Sequence, residues 1–585
     1  MFTGVIDIQT DVTNYLVKLG SVELKPESGL VSVVVQHSFN VISSAEITLL
    51  DDAIEDEIFP LSNEEYSKPG TTVEISSGYH DDLKVIFIGV VVNQQLKIKH
   101  GRSLLILYCK HEAITMTLSR CSRYFVEVAD SDIWSLLSAK YGIGLEADTS
   151  NVLHKQMVQC DSTDWDFMVT RAEANGMLVS TINGGIKIIK PDAILGVGGL
   201  PPLPGVGFTA TLGANLFELE ADIEARHQPE AVLAKAWDAG NNQVPEERST
   251  EPALTQPGNL DGTALAGALG NASQTYIHAA ALPGTELKAW ADALMLRARL
   301  ASMRGRMRIQ GQASLLPGDT VTLAGVGPRF EGPVMATGIR HEIARGNWLT
   351  DVQFGLSADL FISKLGQQQP ATALLPSVSG LVTAVVSDID DPLKECRIKI
   401  RIPVWDNQEE GIWARYLSTD AGTNRGMIFM PEVGDEVLVG FLNDDPRHPV
   451  VLGGLYSAHH SPPFATDADN KEKGWVTRSG IKMILNDEDK SLHISTPGGH
   501  SIYINEADKS IAIKCLNGNV VTLNEEGVAI ESVKNITLKA TNDITLDAIN
   551  IKAKASAQLG MEGSSGTEIK SSATTTIKGS MVMIN

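Results

Sequence analysis

The chain has 585 residues, with 48 Lys plus Arg against 71 Asp plus Glu and a formal net charge of -23 at pH 7. That length leaves room for several domains with ample core, and so acidic a body argues against nucleic-acid binding, which needs a basic footprint. Five scattered cysteines (Cys109, Cys121, Cys160, Cys396, Cys515) without CxxC spacing argue against a disulfide framework and suit a reducing cytosol.

The start, Met1-Phe-Thr-Gly-Val-Ile-Asp7, has no basic region and no apolar signal core, so no secretory signal is visible. The longest apolar run, Val85 to Val92 with one Gly, is far short of the ~20 residues of a membrane helix. Assembly in the cytoplasm is therefore expected, with exit only by lysis or inside a machine. The acidity is uneven. Residues 471–585 hold 13 basic and 13 acidic residues, so the whole excess lies upstream.

Residues 1 to about 128 are strand-rich, with Gly29 to Val35, Thr72 to Ser76 and Leu83 to Val92 as β runs. Two helices follow. Ser131 is expected to cap one that carries Ile133, Trp134, Leu136 and Leu137; Thr163-Asp-Trp-Asp opens another with Trp165, Met168, Val169 and Ala172 on one face and Gly176 after it. The tryptophans read as core anchors. Residues 195–206 and 239–284 are rich in Gly, Asn and Pro and read as loops, with no phosphate-loop pattern. A helix from Glu286 to near Met303 places Leu287, Trp290, Leu294, Ala298 and Ala301 at helical spacing. Strands resume at Leu316 to Leu323 and Gly332 to Ile339, and the Pro-marked stretch from Gln367 to Pro376 reads as a domain boundary.

Five strand-like runs follow: Gly380 to Val386, Cys396 to Ile402, Ile412 to Leu417, Asp435 to Phe441 and Pro449 to Gly453. Roughly 75 residues with five strands suit a small OB-fold barrel. Strong turn signals separate them at Asp390-Asp-Pro, Pro431-Glu-Val-Gly-Asp and Asp444-Asp-Pro-Arg-His-Pro.

From Trp475 to Asn585 the pattern changes to short alternating runs such as Ser491-Leu-His-Ile-Ser, Ser501-Ile-Tyr-Ile-Asn and Ser510-Ile-Ala-Ile-Lys. Val528 to Ile530, Ile536 to Leu538 and Ile544 to Leu546 recur every eight residues; beyond Trp475 the only aromatic is Tyr503 and the only proline Pro497. One narrow strand and its turn per repeat, stacked as a solenoid, is the expected form. Ordering ~110 residues costs on the order of 100 kcal/mol or more in conformational entropy, and a one-sided ribbon without aromatics has little to pack on. It also leaves two strand edges open to other chains. A monomeric β-solenoid and a three-chain prism that closes both edges remain open on the pattern alone.

The ordered set Gly380, Asp391-Pro392, Arg397-Ile-Lys-Ile, Pro403, Trp413-Ala-Arg415, Ala421-Gly422, Pro431-Glu432-Val-Gly434-Asp435-Glu-Val-Leu-Val, Asp445-Pro446 and Leu455-Tyr456 resembles the OB domain of the VgrG (valine-glycine repeat) spikes and phage baseplate needles. Asp164-Trp-Asp-Phe-Met to Gly176, Leu316-Pro-Gly-Asp-Thr, His341 and Gly346-Asn-Trp are similar to the hub part of that family, and Thr576 to Asn585 to its spike tips. The resemblance covers most of the chain and is weakest at 195–280.

It implies a mainly β protein: a hub of β-barrels over 1–370 with helical insertions near 129–176 and 286–304, an OB-fold barrel over 376–460, a linker at 461–474, and an intertwined trimeric β-helix needle over 475–585. It also implies a homotrimeric spike of a contractile injection system. The expected partners are the inner tube protein, baseplate proteins, a PAAR-like tip protein docked on Met581, Val582, Met583, Ile584 and Asn585, effector cargo, and the target cell membrane on firing. Asp391, Pro392, Trp413, Pro431, Glu432, Gly434, Asp435 and Pro446 match the barrel motif as structural positions. The expected setting is a phage-tail-like particle, released extracellularly or anchored. A phage tail hub-spike, a cell-wall hydrolase spike and an OB-type binding module are the alternatives.

Chemistry is sparsely signalled. About 18 residues between Tyr456 and Trp475 leave no room for a ~100-residue enzyme domain, and the sequence ends within the needle pattern. His111-Glu112 and His341-Glu342 lack the second His of HExxH. Asp388, Asp390 and Asp391 lack the Gly and distal Glu of a calcium loop. No GxSxG occurs, and Asp161 and Asp164 should raise the Cys160 thiol pKa. With only His493 and His500 in the tail, no tip metal is expected, and no catalytic residue or cofactor. The barrel strands lack exposed aromatics interleaved with basic residues, against a nucleic-acid module.

Overall fold

A computed structural model describes residues 13–24, 29–51, 59–80, 82–99, 102–182, 184–191, 207–236, 243–278, 281–364, 371, 374–405 and 410–584. The expected loop at 195–206, Met1–Asp7, Gln367–Pro370 and Asn585 lie outside them. The chain divides into two compact units, Met1–His460 and Ser461–Asn585.

The first unit is built on a thirteen-stranded sheet. Gly332–Ala344 is its centre, pairing antiparallel with Asn347–Phe354 on one side and Leu30–Ser38 on the other, so that His341 lies between Thr350 and Val35. Alternation explains the facing. Along Leu30–Ser38, Val33 and Val35 are buried while Val31 is exposed, as a sheet with one dry face requires. Two cores result, one around Val17, Ile47, Ile75 and Leu105 and the other around Met307, Ile309, Val321 and Val352. The two halves of the hub are joined edge to edge by continuous pairing.

A third core holds the helices Asp130–Lys140, Asp164–Ala174 and Gly284–Leu300, with Trp134, Trp165 and Trp290 inside it. Thr163 caps the second helix as expected, its side chain accepting from Asp166 N at 3.0 Å. The first helix corrects two expectations. It begins at Asp130, and Asp132 Oδ2 accepts from the Ala129 N–H at 3.2 Å, so Ser131 lies within the first turn instead of capping it. Leu136 is exposed on the far side from Ile133 and Leu137. Ala371, Leu374 and Leu375 are buried in this same core, so the described part of the boundary stretch expected at Gln367–Pro376 is packed against the hub.

The expected barrel is closed in the order Val382–Asp388, Arg397–Arg401, Ile412–Tyr416, Pro449–Gly454, Glu436–Phe441. The Arg415–Val450 parallel pairing completes the ring. Ala384, Val386, Ile398, Ile400, Ile412, Ala414, Val437, Val439 and Val451 fill it, small and β-branched side chains that suit a narrow interior.

The second unit is a seven-stranded antiparallel meander from Glu472–Val476 to Gly527–Glu531. This corrects the one-strand-per-octad expectation. Val528 to Ile530 belongs to the last meander strand, whereas Ile536 to Leu538, Ile544 to Leu546 and the rest of 532–584 form no strand or helix within the chain.

Candidate functional site

The barrel motif residues gather in two tight turns. In the first, the buried Asp391 carboxylate accepts from the backbone of Leu393 (3.0 Å), Glu395 (2.7 Å) and Arg397 (3.2 Å), and from Arg397 Nη2 at 2.7 Å. The Arg397 side chain, followed by these backbone donors, holds the carboxyl well below the usual carboxylate range. Arg397 also lies 5.7 Å from the Trp413 ring centre, linking turn and strand through a cation-π contact. Pro392 is exposed. In the second turn Asp435 Oδ2 accepts from Glu432 N at 2.9 Å, and Gly434, at φ +97°, donates to Val386 O at 2.9 Å. A left-handed backbone there favours Gly. Pro431 leads into this turn and Pro446 is buried in a different loop.

That loop carries residues for which sequence reasoning saw only a turn. Asp445 and Arg447 are buried at the contact between barrel and hub. Arg447 Nη2 reaches Asp445 Oδ2 at 2.9 Å and its Nη1 reaches Glu286 Oε1 of the hub at 2.7 Å. His278 Nε2 lies 3.0 Å from Asp445 Oδ2. Deeper in the hub, Arg171 forks onto Asp130 with two 2.8 Å contacts, His154 Nε2 lies 2.9 Å from Asp130 Oδ2, and Arg171 Nη1 donates to Leu374 O at 2.6 Å. Burial alone would raise these carboxyl pKa values, but Arg171 holds Asp130 low, Arg447 and Arg171 hold Glu286 low, and Arg447 and His278 hold Asp445 well below its ordinary value. The only local signal was a charged Asp-Pro-Arg-His run; its hub partners are more than 150 residues away in sequence.

The tail offers a surface. Its pairing register aligns Met483 with Ile494, Leu485 with Leu492, Ile502 with Ile513, Ile504 with Ile511, and Val521 with Ile530 on one sheet face. A concave groove of about 550 Å³ runs along that face, lined by Ile494, Ile502, Ile513, Val521, Ile530 and Ile536 among others. Of the described residues from 461 to 584, only Asn505 is buried. Met581, Val582, Met583 and Ile584 are exposed, Ile584 at 88 %.

The catalytic candidates resolve into structural roles. His111 caps a short 3-10 turn by accepting from Ala113 N at 3.1 Å, and His341 meets Thr350 Oγ1 at 3.0 Å. Burial lowers them to about 4 and about 3, which keeps both neutral. The Cys160 thiol is pushed up to about 12, first by burial and then by Asp161. Asp164 does not face it, contrary to expectation: its carboxylate contacts Cys121 Sγ at 3.1 Å, Arg123, Lys140, Gln159 and Tyr141. Burial works against this charge, yet hydrogen bonds led by those from Lys140 and Gln159 bring its pKa down to about 2. His493 packs edge-on to Tyr503, and His500 Nδ1 accepts from Leu516 N at 3.4 Å.

Comparison with known proteins matches residues 9–345 to the Alg8 N-terminal domain family and residues 382–456 to the type VI secretion system/phage-baseplate injector OB domain. The type VI secretion system spike protein VgrG1b of Pseudomonas aeruginosa is 28% identical over 206 residues, 32% of this chain and 27% of that protein. VgrG4b of the same organism is 35% identical over 133 residues, 21% and 14% of the two chains. The actin cross-linking toxin VgrG1 of Vibrio cholerae is 36% identical over 98 residues, 15% and 9%. The matches thus span about a quarter or less of these relatives' length. A chain from the lidless PdpA-VgrG complex shares the fold, with a TM-score of 0.51 at 9% identity over 89% of this chain and 98% of that one. Because the match over residues 9–345 takes in more than half of the chain, the chain belongs to the Alg8 N-terminal domain family, and the part that follows is similar to the injector OB domain and to VgrG-type spike proteins.

Proposed function

We propose that this chain is the homotrimeric, non-enzymatic spike of a contractile injection system, joining baseplate and inner tube to a membrane-piercing tip. The observation that carries the reading is the tail. A sheet face of Met, Leu, Ile and Val stands open to water along six of the seven strands, and the next 53 residues keep the aliphatic pattern with no strand in their own chain. Burying one such side chain contributes about 1.5–3 kcal/mol, and two further copies supply both the missing core and the missing ladder partners. Light scattering on the purified chain is expected to give about three times 62.8 kDa; a monomer at micromolar concentration would remove the trimer.

Work comes from contraction of a sheath. An interlocked needle transmits it, because withdrawing one strand breaks its neighbours' ladders as well. The inner tube and baseplate proteins are the hub's partners in this reading, and the exposed Met581 to Ile584 is the docking surface for a PAAR-like cap, with effector cargo carried on it. The particle is of the phage-tail-like kind, assembled in the cytoplasm and then released or anchored. Deleting residues 579–585 is expected to leave the trimer intact and abolish cap binding in a pull-down; undiminished binding would reject that site. Absence of an enzyme rests on the structural roles of His111, His341 and Cys160 and on the short 457–474 segment. A zymogram on peptidoglycan with clear hydrolysis would overturn it.

A further inference from the structure

We infer that His278, Asp445 and His448 form a transition-metal site that staples the barrel to the hub, with zinc the best-fitting ion. Their donor atoms lie within 4.8 Å of one another. His278 stands at the end of the hub strand Ser273–His278, while Asp445 and His448 stand in the barrel loop between Glu436–Phe441 and Pro449–Gly454. Two imidazoles and one carboxylate are the donor set of a zinc centre that keeps a fourth position for water. Calcium and magnesium prefer all-oxygen shells.

Three features of the surroundings favour an ion. His278 Nε2 and Asp445 Oδ2 are 3.0 Å apart, a few tenths of an ångström under the ligand-to-ligand spacing of about 3.4 Å that tetrahedral bonds near 2.1 Å produce. His448 is half-buried, its ring centre 5.6 Å from that of His278. The surroundings are rich in buried carboxylates: Asp130 and Glu286 meet Arg171 and His154, and Asp445 meets Arg447 and His278, and a buried carboxylate is the kind of group that coordinates a metal. Arg447, forked on Asp445, plays the outer partner that fixes the ligating carboxylate.

The test uses the full, untagged chain. After incubation with zinc sulfate and desalting, elemental analysis is expected to find about one zinc per chain, and cobalt loading is expected to give the intense visible bands of a four-coordinate ion. H448A, which alters a half-buried ring, should fold and lose both signals; H278A should do the same, while H493A in the tail keeps them. The thermal midpoint of the parent should rise by several degrees with zinc and that of H448A should not move. Substoichiometric zinc in the parent, or undiminished zinc in H448A, would show the trio to be a hydrogen-bonded ion pair only.

Discussion

The two units handle the same problem in opposite ways. In Met1–His460 apolar side chains meet within the chain, and even charged groups such as Asp130, Arg171, Asp445 and Arg447 are drawn inside and paired. In Ser461–Asn585 the aliphatic face is as regular as any in the hub, yet Asn505 is the single buried residue among those described. A hydrophobic pattern therefore marks what will be buried without saying by which chain. The hub and barrel bury their own cores; in the trimer proposed above, the needle borrows its core from its copies.

The largest effect should come from breaking that borrowed core. Ile513→Asp puts a charge on the central column of the open face, opposite Ile502. It should abolish association in light scattering, because each copy would bury a carboxylate against the others, while tryptophan fluorescence of the hub stays native. If the trimer survived, the face would not be an interface. Arg447→Ala should act in the first unit instead, costing about 3–5 kcal/mol in denaturant unfolding by leaving Asp445 and Glu286 buried without their shared partner. A loss under 1 kcal/mol would show the junction to be loosely held.

Acid should separate the units more gently. Asp164 has a folded pKa lowered to about 2 against about 3.9 unfolded. Its contribution is thus fully present above pH 4 and is lost as the pH falls through 2. Asp164→Asn should flatten this part of the stability profile of the hub, and an unchanged profile would remove Asp164 from the account. The smallest effect belongs to the tail's surface pairs. Lys471→Ala breaks an exposed 2.8 Å contact with Glu488 and should leave the denaturant midpoint unmoved, since solvent and salt screen such a pair; a clear shift would show that this pair is buried in the assembled needle.

The barrel was legible because each strand is bracketed by turn residues, and all five lie within two residues of their expected ends. The helices were legible from periodicity, but the first cap was not: Asp132, three residues into the helix, accepts from the Ala129 N–H, and Ser131, the expected cap, lies within the first turn. The needle's strands were visible and their arrangement was not. Alternation at period two is the same in a meander and a solenoid; turns such as Asn486 to Asp489 and Asn505 to Lys509, where Asn side chains accept from the backbone two or three residues on, decide for the meander. The junction cluster was hidden because its members come from six separate segments, each polar residue unremarkable in its own neighbourhood.

Hydrogen exchange across 532–584 tests the central claim most directly. No strand of this chain includes those amides, so in an isolated chain they would exchange at nearly unfolded rates. In the purified protein at micromolar concentration they are expected to exchange slower by at least about a hundredfold, and to lose that protection in Ile513→Asp along with the trimer. Full exchange within seconds in the parent would contradict a needle whose ladders are completed by its copies.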